Sequence, residues 1–167
     1  MGETEASAVS QAAKRNRVFL VVVDDSPERE VALKFACLRA RNGGGHVALL
    51  RVVEPIGLMP WAGVGVMMQE ERREEAEKLL SGLAAEVQEI TGSYPILIIR
   101  EGDPRDELLA LLAEDPRISV LVLATAAASS GPGPLISALS GRYSGRLTVP
   151  MTIVPGTMDQ EALERVT

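Results

Sequence analysis

Residues 17–156 are patterned for a three-layer α/β domain built on a parallel sheet, and three observations say so. Five short apolar runs recur along the 167-residue chain, helix-patterned stretches separate them, and the runs are mostly continuous rather than alternating. Continuous runs of Val, Ile and Leu suit strands covered by helices on both faces. Strict alternation with helices then gives right-handed crossovers between parallel strands.

The first run, RVFLVVV (17–23), ends at Asp24 and Asp25 and is followed by Ser26 and Pro27. Ser26 suits an N-cap, and Pro27 suits the first helical position, where a missing N–H costs nothing. Val31, Phe35 and Leu38 follow at i, i+4, i+7 spacing, and NGGG (42–45) ends that helix. The second run is HVALLRVV (46–53), and PIGLMPWAGVGVMMQ (55–69) after it reads as a long apolar loop. A helix over about 68–91 puts Ala76, Leu80, Leu83, Val87 and Ile90 on one stripe, with Glu70, Arg73, Glu74 and Lys78 on a solvated face.

PILII (95–99) is the third run. Asp103 and Pro104 open a helix that turns Leu108, Leu111 and Leu112 inward and stops at EDP. ISVLVLA (118–124) is the fourth run, SSGPGP (129–134) is a loop, and a helix covers roughly 134–146 before the last run, MTIVP (151–155). The expected organisation is a disordered tail over 1–16, one domain over 17–156, and a C-terminal tail or short helix over 157–167.

Composition narrows the function classes. A net charge of −6 argues against non-specific nucleic-acid binding, which needs clustered Lys and Arg. No apolar run reaches the roughly 18 residues of a membrane span, and MGETEASAVSQAAKRNR has no signal-peptide core, so a cytoplasmic protein is expected. The single cysteine, Cys37, excludes a disulfide within the chain and reads as buried filler.

Asp24–Asp25 at a strand end invites comparison with phosphoacceptor receiver domains, which hold Mg²⁺ with such a pair. Those domains also need an aspartate ending a later strand and a lysine after the last one. The strand ends here are RVVEP, IIREG and LATAA, and the only lysines are Lys14, Lys34 and Lys78. Arginine is no simple replacement for a compact ammonium. One histidine, His46, leaves no basis for zinc or triad chemistry, and neither a GxGxxG nor a P-loop lysine motif is present. Nothing in the sequence marks a catalytic residue or a metal site.

Several segments together resemble the universal stress protein family. They are VFLVVVDDSPEREVALKFACLRARNGGGHVALLRVVEP, EGDPRDELLALLAED, SVLVLATAA and VPMTIVP, in that order and spacing. The resemblance implies a Rossmann-like fold of the adenine nucleotide alpha hydrolase type, with a five-stranded sheet in order 3-2-1-4-5. It also implies a homodimer, commonly through the edge of the last strand, and a stress-response role without catalysis. Such an order places the ends of the first and fourth strands side by side, a switch point where open α/β sheets form a ligand crevice. Asp24 and Ser26 are expected on one side and residues 124–133 on the other, with Val53 at the position that meets adenine in nucleotide-binding members.

The resemblance departs at the phosphate motif. Where ATP-binding members carry glycines and a Gly-Ser or Gly-Thr pair, this chain has Ala124, Ala127, Ser137 and Ala138. A Cβ intrudes where bare main chain would approach phosphate, and left-handed geometry costs an L-residue about 1–2 kcal/mol. Two readings follow. In one the ATP motif is lost, no cofactor is needed, and the protein acts through dimerisation and protein contacts. In the other, ATP or AMP binds through Asp24 and the 129–134 loop, using Ser129, Ser130, Gly131 and Gly133, although Pro132 and Pro134 lack N–H groups. Asp24–Asp25 is then an altered nucleotide pocket beside a helix start. The apolar stretch 55–69 reads either as satellite core or as a lid or partner patch anchored by Trp61.

Overall fold

The computed structural model describes residues 16–57, 62–126 and 131–167. Apart from Asn16, the tail expected over 1–16 lies outside the described residues. The strands are β1 (Val18–Val22), β2 (His46–Val53), β3 (Ile96–Glu101), β4 (Ile118–Thr125) and β5 (Met151–Pro155). They form one parallel sheet in the order β3-β2-β1-β4-β5, as expected. The connecting helices are α1 (Arg29–Gly43), α2 (Ala62–Thr91), α3 (Pro104–Glu114) and α4 (Pro134–Ser140), and α5 (Gln160–Val166) follows the sheet.

Alternation along each central strand divides the interior into two cores. Phe19, Val21, Val23, Val47, Leu49, Val122 and Val154 meet α1, α2 and α5 on one face. Val18, Leu20, Ala48, Leu50, Leu121 and Leu123 meet α3 and α4 on the other. Both faces being covered explains why these strands read as continuous apolar runs. Only Arg51, apart from His46, breaks the apolar and small-residue composition of β1, β2 and β4 with a charge-bearing group.

Helix boundaries differ from expectation at three places. Regular helix α1 begins at Arg29, because Ser26 and Pro27 form the preceding turn: Arg29 N donates to Ser26 O at 3.3 Å and Glu30 N to Pro27 O at 3.4 Å. Ser26 is therefore no side-chain cap; its hydroxyl donates to Asp24 Oδ1 instead, at 2.6 Å. Helix α2 begins at Ala62, so most of the stretch expected as a 55–69 loop is helical. Gly63 and Gly65 hide that start, since glycine costs about 1 kcal/mol in a helix interior. Val64, Val66 and Met67 are exposed there, which leaves no inward stripe to signal a helix.

The third difference lies after β4. Helix α4 ends at Ser140, and a separate 3₁₀ turn follows at Ser144–Arg146, where one helix over 134–146 was expected. Gly141 and Gly145 interrupt the pattern. No helix among the described residues is long and apolar enough to cross a membrane.

Helix α3 starts as its sequence predicts. Asp103 Oδ1 accepts from Arg105 N at 2.9 Å and Asp106 N at 3.3 Å, and Pro104 occupies the first turn. The Arg105 guanidinium holds the Asp103 carboxyl down at about 2, from 3.8. A depressed carboxyl stabilises the fold above its unfolded pKa and loses that contribution as pH falls through the folded one. Asp103→Ala is expected to cost about 1 kcal/mol at neutral pH. Its deficit against the parent, followed by urea midpoints, should shrink between pH 3.8 and about 2. Asp103→Asn, which keeps a cap oxygen, should recover most of the neutral-pH loss.

Candidate functional site

The carboxyl ends of β1, β2 and β4 frame two adjoining clefts, and Asp24 lines both. The smaller, about 310 Å³, lies at the switch point between β1 and β4. Val22 and Asp24 form one wall with Ser26, Glu28, Arg29 and Ala32 from the start of α1. Leu123, Ala124 and Ala126 at the exit of β4 face them, and Pro132 to Ile136 close the end. The larger, about 560 Å³, lies over β1 and β2, lined by Asp24, Asp25, Arg51 to Glu54, Arg72, Glu75, Ala76, Leu79 and Pro104.

Of the residues singled out from sequence, Asp24, Ser26, Ala124 and Gly133 share the smaller cleft. Val53 lines the larger one, and its carbonyl accepts from Gly102 N at 3.1 Å. Gly131 and Ser137 are exposed and are not among the described residues lining either cleft. Ala127, Ser129 and Ser130 lie outside the described residues, as does Trp61. Ala124 is spared left-handed strain: no described non-glycine residue has a positive φ, whereas Gly131 (71°) and Gly133 (86°) do.

The polar groups of the site are turned on one another. Asp24 Oδ1 accepts from Ser26 N at 3.0 Å and from Ser26 Oγ at 2.6 Å. Three arginines each donate Nη1 to a main-chain carbonyl at a strand exit. Arg51 reaches Val23 O at 3.0 Å, Arg29 reaches Asp24 O at 2.7 Å, and Arg72 reaches Glu54 O at 3.2 Å. Arg51 Nη2 also pairs with Asp25 at 3.0 Å. Arg29 Nε is buried with no hydrogen-bond partner.

None of these arginines was foreseen as part of the site. Their side chains reach across elements, and only Arg29 sits next to the paired aspartates in sequence. Glu28 and Gly156 were also missed, whereas Ala126 falls in the 124–133 stretch expected on that side. Gly156 follows β5, and a Cβ there would run into the Thr125 carbonyl oxygen and come within 2.6 Å of Glu28 Cγ. Cys37 belongs to the α1 core, and burial pushes its thiol up to about 12, so it is no nucleophile at neutral pH.

The universal stress protein family model matches residues 15–155, which include all five strands and the residues described as lining both clefts. The chain belongs to the universal stress protein family. Universal stress protein UspA from Lactobacillus plantarum superposes with a TM-score of 0.69 at 17% identity, covering 84% of this chain and 98% of that one. A universal stress protein family protein from Arabidopsis thaliana, solved with AMP bound, gives 0.58 at 15% identity, covering 87% and 94%. A universal stress protein in complex with cAMP gives 0.54 at 16% identity, covering 84% and 98%. No curated protein sequence matches. At these identities the solved structures establish the shared fold. In this universal stress protein, α5 lies beyond the matched range yet seats Leu163 in the core beside α1.

Proposed function

We propose that this universal stress protein is a non-catalytic regulatory protein of the stress response, acting through dimerisation and protein contacts with its triphosphate chemistry lost. One observation carries the reading: the three arginines around the clefts are held by the chain's own carbonyls at 2.7–3.2 Å, and no lysine is among the described lining residues. Phosphate capture needs donors that are free to turn to the anion. Pro132 and Pro134, at the end of the smaller cleft, have no N–H to give. The dimer is assigned to edge strand β5, whose outer side pairs with no strand among the described residues and which exposes Ile153. A protein partner is assigned to the first turns of α2, where Val64, Val66 and Met67 stand exposed.

Calorimetric titration with ATP and AMP, together with light scattering of the eluted protein, tests this. The expected result is a dimer whose mass does not change with nucleotide and no saturable binding up to about 1 mM. Micromolar affinity for either nucleotide, or steady phosphate release from ATP, overturns it.

A second reading is an adenine-nucleotide sensor, favoured by the buried, unpartnered Nε of Arg29 at the smaller cleft and by the AMP- and cAMP-bound structures of the same fold. It predicts binding that Asp24→Ala and Gly131→Pro both weaken. Unchanged affinity in both variants removes it.

A further inference from the structure

Arg51 is the one Lys, Arg, Asp or Glu in β2, a strand otherwise apolar after His46. Its neighbours on the same row of β2, Leu49 and Val53, are buried, and its own side chain is only 21% exposed. A guanidinium in that setting must find partners, because a buried charge without them is strongly destabilising. It finds them by crossing the carboxyl end of β1, with Nη1 on Val23 O at 3.0 Å and Nη2 on Asp25 at 3.0 Å. The carboxyl ends of strands are where open α/β sheets receive their ligands. Arg51 therefore lies along one wall of the larger cleft and occupies the Val23 carbonyl and the Asp25 carboxylate from inside the chain.

We propose that Arg51 is an internal plug, which excludes an adenine nucleoside from the β2 side of the clefts by reaching across from β2 and holding the hydrogen-bonding groups at the end of β1. This rests on the reading that the clefts hold no nucleotide in the native protein, and it names a cause for that state beyond the altered phosphate motif. A tethered guanidinium competes with any ligand amino group at high effective concentration. Displacing it leaves a charge facing the buried Leu49–Val53 row, so a ligand must overcome both costs. An apolar side chain at 51 removes the competitor and leaves Val23 O and the Asp25 carboxylate without that partner, beside Asp24 and Val53 on the wall of the larger cleft.

The test compares Arg51→Val with the parent by calorimetric titration of AMP and of adenosine, with thermal melts showing that the variant is folded. If Arg51→Val melts poorly, Arg51→Met keeps the bulk and removes the charge. The expected result is at least tenfold tighter binding of AMP in the variant, shared by adenosine because the plug acts on the nucleoside. A folded variant whose affinities lie within twofold of the parent overturns the plug, and so does a gain for AMP that adenosine does not share. Micromolar AMP binding by the parent is a separate failure: it overturns the reading above, while the comparison of variant with parent still decides the role of Arg51.

Discussion

Leu163→Ala lowers the stability of the fold by about 3 kcal/mol, a large effect for a residue near the chain's end. Leu163 is 1% exposed and belongs to the core formed by α1, α2 and one face of the sheet, with Met158 packed against the same cluster. Removing the three carbons beyond Cβ forfeits their transfer free energy and leaves a cavity that the seven-residue helix α5 only partly closes. Asp159 caps that helix through Ala162 N at 2.8 Å, so the backbone stays ordered and has little freedom to collapse. For a chain of this size the midpoint of thermal unfolding should fall by roughly 6–12 °C. A fall below about 2 °C would mean that α5 is peripheral and that the core is complete without it.

Gly156→Ala is the second large effect, expected at about 1–3 kcal/mol through overpacking. The glycine's φ is not the reason; close approach is. The new methyl would collide with the Thr125 carbonyl oxygen at the exit of β4 and crowd Glu28, which lines the smaller cleft. Glu28 has a flexible side chain and can yield, but the carbonyl of a central strand cannot move without disturbing the β4–β5 pairing of Thr125 with Pro155. Adding Glu28→Ala to Gly156→Ala should therefore recover less than half of the loss. Denaturant midpoints at constant m measure both. Full recovery in the double variant would place the strain in the glutamate and not in the backbone.

These residues show where the sequence is readable and where it stops. The apolar runs locate all five strands within a residue or two, because burial on both faces writes itself into contiguous Val, Ile and Leu. The cap at Asp103 is legible because it is local: a carboxylate bonding to the main chain two and three residues on. Asp24 and Ser26 are legible as a cluster for the same reason, although their bonds join them to each other and leave the helix uncapped. The early start of α2 was hidden because its first turns contain two glycines and face their apolar side chains outward, so periodicity has no buried stripe to report.

Order of elements, parallel pairing and the position of the crevice all follow from pattern, since period and chirality leave few ways to cover such strands. Which polar groups remain available in that crevice is another matter. Arg51 and Asp25 stand 26 positions apart, Arg72 and Glu54 stand 18 apart, and no local rule relates them. Folding brought long, flexible cations to strand exits where carbonyls and a carboxylate stood within their reach, and that proximity in three dimensions made the pairs.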